Sequence, residues 1–258
     1  MLLAIDAGNS NTAIGCLNDG EILLSFRVRT DISQTEDEYS SVINNILVFN
    51  GLSREAITGA IISSVVPPLT GVLFHSVKKL TGLDALLVGA GIKTGLNILI
   101  DDPAQLGSDI VASAVAAAAI YEHPVIIVDM GTATKITAIN KDARFIGGAI
   151  FPGVALSMNA LASGTSQLPK VPIEAPKRCI SANTIDCLKS GAIFGNASMI
   201  DGMIERFEDE LGAGANIVAT GGLAGAVYKH CKHAISYDQH LVLRGLEIIY
   251  QRNQKKRG

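Results

Sequence analysis

The sequence predicts a duplicated α/β fold, two related lobes over residues 1–122 and 123–258, and three observations carry that expectation. The first is an internal repeat. Leu3-Ala4-Ile5-Asp6-Ala7-Gly8 is echoed 123 residues later by Ile126-Ile127-Val128-Asp129-Met130-Gly131, each an apolar strand ending in Asp-x-Gly. Both copies continue into a hairpin, the first turning at Asn18-Asp19-Gly20 and the second at Asn140-Lys141-Asp142, with apolar runs on either side. A period near half the chain means two homologous lobes rather than a solenoid of short repeats. The second observation is composition. Hydrophobic residues make up 48% of the chain and aromatics only 5%, with 26 glycines and no Trp, so the core is built from Ile, Val, Leu and Ala in closely packed helices and sheets. The third is the alternation of strand and helix signals between the repeats.

In order, Thr12–Cys16 and Ile22–Val28 read as the first hairpin. Thr35–Phe49 reads as a helix, with Tyr39, Val42, Ile43, Ile46 and Leu47 at helical spacing and Gly51 as its stop. Ala60–Val66 is a strand closed by Pro67-Pro68. Leu69–Leu80 is a helix, Ala85–Val88 a strand, and the Ala-rich run Gln105–Tyr121 a helix that ends near His123-Pro124. In the second lobe, Lys135–Ile139 and Phe145–Ile150 form the hairpin. Ile185–Leu211 is mostly helix, softened at Gly191 and Gly195; Asn216–Ala219 is a strand running into Gly221-Gly222, and Leu241–Arg252 is a final amphipathic helix. The proline-punctuated stretch Gly164–Pro176 is a loop.

Charge and cysteine usage narrow the function classes. The formal net charge is −3, and the one basic cluster, Lys255-Lys256-Arg257, reads as a solvated chain end, so a nucleic-acid partner is not expected. Cys16, Cys179, Cys187 and Cys231 form no CxxC pair and suit reduced thiols in a cytoplasmic protein. No apolar run approaches the length of a bilayer span, so no membrane partner is expected either. His230-Cys231-Lys232-His233 lacks a second ligand pair and reads as a solvated helix end rather than a metal site.

The repeat also marks the candidate chemistry. Asp6-Ala7-Gly8-Asn9-Ser10-Asn11-Thr12-Ala13 enters a tight hairpin, where glycine lets backbone approach a polyphosphate and the Asn, Ser and Thr side chains supply uncharged donors. An aspartate beside phosphates repels them unless a cation intervenes, so Asp6 implies Mg²⁺. Asp129-Met130-Gly131-Thr132-Ala133-Thr134 is a second loop of the same chemistry. Two such loops across a cleft between the lobes would clamp one triphosphate. A P-loop is excluded, because Ile92 rather than Gly precedes Lys93 in Gly89-Ala90-Gly91-Ile92-Lys93-Thr94.

Seven segments in order complete a pattern: Asp6-x-Gly8-Asn9-Ser10-x-Thr12, Pro103-x-x-x-Gly107-x-Asp109, Asp129-x-Gly131-Thr132-Ala133-Thr134, Gly147-Gly148-x-Ile150-x-Pro152-Gly153, Asn183-Thr184, Thr220-Gly221-Gly222-Leu223-Ala224 and Leu243-x-Gly245-Leu246. In this pattern the chain resembles type III pantothenate kinases over nearly its whole length. The resemblance implies a duplicated actin-like (ribonuclease H-like) fold with a nucleotide cleft between the lobes, a homodimer, and ATP-dependent phosphorylation of pantothenate, the first step toward coenzyme A. By residue, it implies that Asp6 to Ala13 and Thr132 bind ATP and that Asp129 sits at a monovalent cation site (K⁺ or NH₄⁺). Asp109 would accept the proton of the substrate hydroxyl, and Gly107, Ser108, Asp109, Ile110 and Thr184 would line the pantothenate site. The chain departs from the family pattern at four places. Ile110 replaces an Arg, Ile100 replaces a Tyr, and Lys135 and Thr137 stand where Thr and Asp are common. The first two keep open an actin-like kinase for another small hydroxylated acceptor, or a regulatory homologue without catalysis.

Overall fold

The computed structural model describes residues 1–254 of the chain, so the basic end Lys255-Lys256-Arg257 lies outside the described residues. In chain order the elements are β1 (Leu2–Ala7), β2 (Asn11–Asn18), β3 (Glu21–Arg29), α1 (Glu36–Phe49), β4 (Gly59–Ser64), α2 (Pro67–Thr81), β5 (Leu86–Leu87), β6 (Asn97–Ile98) and α3 (Ser108–Ile120). They continue with β7 (Val125–Met130), β8 (Ala133–Ile139), β9 (Arg144–Pro152), α4 (Val154–Gly164), α5 (Thr184–Ser190), α6 (Asn196–Leu211), β10 (Asn216–Thr220), α7 (Ala224–Val227), β11 (Ser236–Tyr237) and α8 (Leu241–Gln254). A π-helical turn, Gly191–Gly195, joins α5 to α6 at the two glycines that soften the sequence pattern.

The chain divides into two compact units, and the division is not a single cut. The first unit takes Met1–Gly95, Asp102–Ala116 and the segment from Leu241 onward; the second takes Leu96–Asp101 and Ala117–His240. The last helix therefore folds with the first unit, whereas a boundary at 122/123 assigns it to the second. The physical reason is visible at three contacts. Leu243 packs over Gly15, Tyr250 over Gly59, and the backbone at Gly245 lies so near α3 that a Cβ there would sit 1.8 Å from the Ala112 carbonyl oxygen.

The first unit holds a five-stranded sheet in the order β3-β2-β1-β4-β5. β1 pairs antiparallel with β2 and parallel with β4. Buried on both faces, β1 and β4 are near-continuous apolar runs rather than alternating ones. Leu3, Ile5 and Ala7 share one cluster with Tyr39, Ile43 and Leu47 of α1 and with Leu69, Leu73 and Val77 of α2. The alternation of strand side chains turns Asp6 to the opposite face. α1 begins at a capping box, in which the Glu38 N–H donates to the Thr35 hydroxyl and the Thr35 N–H to the Glu38 carboxylate at 2.7 Å. Such a cap contributes about 1 kcal/mol.

The second unit holds six strands in the order β11-β10-β7-β8-β9-β6. Read from the hairpin side, β9-β8-β7-β10-β11 repeats the order of the first sheet, and β6 adds one short parallel strand beyond β9. Ile126, Val128 and Met130 of β7 pack with Ile193, Ile200 and Ile204. Asp129 points to the other face by the same alternation as Asp6. The metal-like motif receives a structural role here: the buried Asp201 carboxylate accepts the Lys232 and His233 N–H groups and the His233 ring at 2.9 Å. Burial alone would raise this carboxyl's pKa, but the His233 ring and the two backbone donors outweigh it and hold the group below the usual carboxylate range. Among the described residues no helix is long and apolar enough to cross a membrane.

Candidate active site

Each Asp-x-Gly segment turns back through a backbone hydrogen bond from its glycine, the first turn being one residue longer than the second. In the first unit the Gly8 N–H donates to the Asn11 carbonyl at 3.1 Å, and in the second the Gly131 N–H donates to the Ala133 carbonyl at 3.1 Å. The chain leaving each hairpin returns to brace the turn: the Thr30 N–H donates to the Ser10 carbonyl at 3.1 Å and the Gly153 N–H to the Thr132 carbonyl at 3.0 Å. Asn9, Ser10 and Asn11 at one tip, and Thr132 at the other, are exposed. Backbone N–H groups and short hydroxyl side chains at such turns suit phosphate oxygens.

The surroundings of the two aspartates differ. Asp6 stands opposite Ala13 on β2 and opposite Ser63 on β4. The fully buried Ser63 hydroxyl donates to Asp6 Oδ1 at 2.8 Å and lies 2.9 Å from the Ser108 hydroxyl. Asp129 stands opposite Lys135 on β8 and opposite Thr220 on β10, and Lys135 Nζ lies 2.6 Å from Asp129 Oδ2. Gly221, at φ +97°, crowds the other side of that carboxylate, since a Cβ there would lie 2.7 Å from Asp129 Oδ1.

The segment Gly107-Ser108-Asp109-Ile110 opens α3. The Gly107 carbonyl accepts the Val111 N–H at 3.0 Å, and Asp109 Oδ1 accepts the Ile110 N–H at 2.8 Å. Gly107 leaves room for that fold-back, since a Cβ there would sit 2.6 Å from Asp109 Oδ1 and displace it. Asp109 is thus a helix-start carboxylate, and it is held one residue from the hydroxyl that reaches Asp6 through Ser63. Thr184 is exposed at the first position of α5, whose N-cap Asn183 accepts the Asp186 N–H at 2.9 Å. Ile100 approaches the left-handed Gly147 of β9.

The first unit therefore brings together Asp6, the loop to Ala13, and Gly107 to Ile110, while the second carries Asp129, Thr132 and Thr184. Sequence reasoning misses Ser63. It lies in a stretch that reads as a plain buried strand, and the single available signal is a hydroxyl breaking an apolar run just before a proline pair.

Residues 2–206 match the family model for type III pantothenate kinase. The type III pantothenate kinase of Brevibacillus brevis is 42% identical over 256 residues, covering 98% of this chain and all of that protein. The type III pantothenate kinase of Halalkalibacterium halodurans is 39% identical over 253 residues, with the same coverage. Among solved structures, a Baf family transcriptional activator from Campylobacter jejuni is similar at TM-score 0.59 and 22% identity, covering 98% of this chain and 99% of that one. A ROK family glucokinase from Streptomyces griseus is similar at TM-score 0.55 and 13% identity over 98% and 99% of the two chains. At those identities the structures establish the fold, the duplicated α/β architecture of actin-like sugar kinases. The sequence relatives go further, at identities near two fifths from end to end: the chain belongs to the type III pantothenate kinase family.

Proposed function

We propose that this chain transfers the γ-phosphoryl group of ATP to the hydroxyl of pantothenate, giving 4'-phosphopantothenate and ADP at the first step of coenzyme A biosynthesis. The full-length relatives support the reaction. The observation that carries its assignment to residues is the hydroxyl chain from Asp6 through Ser63 to Ser108, beside Asp109. It links Asp6, in the loop read here as phosphate-binding, to the segment read here as substrate-binding, within the first unit.

In this reading the loop Asp6 to Ala13 and Thr132 take the phosphates through backbone N–H groups and hydroxyls. Asp6 would be the protein anchor for the Mg²⁺ that accompanies ATP, and the ion would offset charge on the phosphates. Ser63 fits that role: by donating to Oδ1, it holds the Asp6 carboxylate in one orientation. Gly107, Ser108, Ile110 and Thr184 hold pantothenate, with a second copy of the chain completing a homodimer. Asp109 orients the acceptor hydroxyl in line with the γ-phosphorus. The hydroxyl oxygen forms the new P–O bond, the bond to the bridging oxygen of ADP breaks, and the proton passes to Asp109. A carboxylate with a reference pKa of about 3.9 is a weak base toward an alcohol, but a loose transition state releases that proton late. The four free cysteines suit a cytoplasmic enzyme.

A second reading, another small hydroxylated acceptor, is favoured by Ile100 and Ile110, both apolar and partly buried, at positions where the family resemblance implies Tyr and Arg. Turnover of pantothenate with MgATP, compared between the wild type and Asp109→Asn, tests the main reading. The expected result is wild-type turnover and a loss of about 10²–10⁴-fold in kcat with ATP binding kept. Wild-type protein that binds ATP yet leaves pantothenate untouched sinks the assignment, and a screen of hydroxylated acceptors then separates another kinase from a regulatory homologue.

A further inference from the structure

Asp129 ends β7 where Asp6 ends β1, but the facing residue on the hairpin strand is Lys135 in place of Ala13. The Lys135 ammonium lies 2.6 Å from Asp129 Oδ2, and the two side chains are only 15% and 13% exposed. On the other flank Thr220 is in register with Asp129, and Gly221 backbone packs against Oδ1 closely enough to exclude even a methyl group. The carboxylate is thus enclosed by an ammonium on one side and by peptide on the other. A dissociable monovalent cation on the same carboxylate would sit beside a fixed positive charge in a poorly solvated setting, where like charges repel strongly. The residues therefore do not fit a K⁺ or NH₄⁺ ion at Asp129.

We propose that Lys135 is the resident cation of the second loop. Its ammonium supplies, as part of the chain, the positive charge that the family resemblance assigns to a bound monovalent ion. It fixes Asp129 and, through the end of β7, the Gly131-Thr132 turn offered to the nucleotide. Lys135 acts through Asp129 and is a positioning residue. The enzyme then needs no K⁺ or NH₄⁺. This inference rests on the ATP-dependent reading above.

The test is calorimetric titration of the full chain with MgATP, without any acceptor, in a tetramethylammonium buffer with and without K⁺ or NH₄⁺. The expected wild-type Kd changes by less than about twofold on adding either ion. Lys135→Ala, which opens space at the carboxylate, is expected to weaken binding about 10- to 100-fold and to be restored by K⁺ or NH₄⁺ but not by Li⁺. Lys135→Met fills the space without charge and is expected to stay weak in every salt. Melting temperatures identify variants that do not fold, and the wild-type titration decides the matter even if both fail. Wild-type binding that appears only with K⁺ overturns the inference, as does a folded Lys135→Ala that binds normally with no added ion. Cation-independent ATP binding without pantothenate turnover overturns the acceptor assignment alone. No ATP binding under any salt overturns both.

Discussion

The two Asp-x-Gly hairpins share one strand scaffold, differ by one residue in turn length, and carry different chemistry at three facing positions. Backbone hydrogen bonds that shape the turns match within 0.1 Å, Gly8 to Asn11 against Gly131 to Ala133 and Thr30 to Ser10 against Gly153 to Thr132. Beside the aspartate, the first unit has Ala13 and the second Lys135. At the bracing position the first has Thr30, whose hydroxyl donates to the Gly8 carbonyl at 2.6 Å and lies 3.0 Å from the Thr12 hydroxyl. The second has Gly153, where a Cβ would come within 2.3 Å of the Thr132 carbonyl oxygen, and the buried Thr134 hydroxyl equivalent to Thr12 has no hydrogen-bond partner among the described residues. On the neighbouring parallel strand, Ser63 faces Asp6 and Thr220 faces Asp129. Duplication preserved what the backbone needs for a tight turn. It left free whatever lies across the ladder, and there the two halves took different roles.

The sharpest way to break this comparison is at the aspartates. Asp129→Asn leaves the Lys135 ammonium largely buried without its carboxylate and is expected to cost about 3 kcal/mol of stability. Asp6→Asn retains an oxygen that can accept from Ser63 and is expected to cost about 1 kcal/mol. Urea unfolding of the two variants measures both, and equal losses would mean that Lys135 does not distinguish the sites. Next in size, Gly221→Ala forces a Cβ against Met130 and Asp129 oxygens at a positive φ, with an expected cost of about 2 kcal/mol. Gly8→Ala meets only the Asn11 carbonyl oxygen at 3.1 Å and is expected to lose about 1 kcal/mol or less, so a reversed order of melting temperatures would contradict the account of the crowded second carboxylate. The smallest effect is the most discriminating. Thr12→Val removes a hydroxyl paired with Thr30 and is expected to destabilise by about 1 kcal/mol, whereas Thr134→Val removes an orphaned hydroxyl and is expected to be neutral or stabilising by up to about 1 kcal/mol. Matching urea midpoints for the pair would show that Thr134 has a partner after all.

Much of this fold is legible in the residues because its signals are local. The repeat, the Asn18-Asp19-Gly20 turn, the Thr35 capping box and the helical spacing from Tyr39 to Leu47 each sit within a short window and lead to β1 through α1 as expected. Elements whose partner is distant are harder to see. Ala85–Val88 shortens to the two-residue β5, and β6, α4 and β11 carry no periodic signal strong enough to announce them. α3 begins at Ser108 rather than Gln105, because Pro103–Gln105 closes into a separate 3₁₀ turn capped by Asp102. For the candidate site, Asp6, Asp109, Asp129 and Thr132 stand out by motif. Ser63 does not, since its role depends on the parallel register of β4 against β1.

The sequence by itself determined the duplication, the two Asp-x-Gly turns and the family pattern, because glycine placement, strand ends and caps follow from neighbours a few residues away. Only the tertiary structure decided that α8 completes the first unit, that Ser63 links Asp6 to Ser108, and that Lys135 neutralises Asp129. Those outcomes are pairings across a sheet or between helices distant in sequence. They are fixed by strand register and by backbone approaches as close as Gly245 to Ala112. No window of the chain contains both partners of the Ser63 or α8 contacts. For Lys135, the window that holds both residues still does not say which face of the ladder they share.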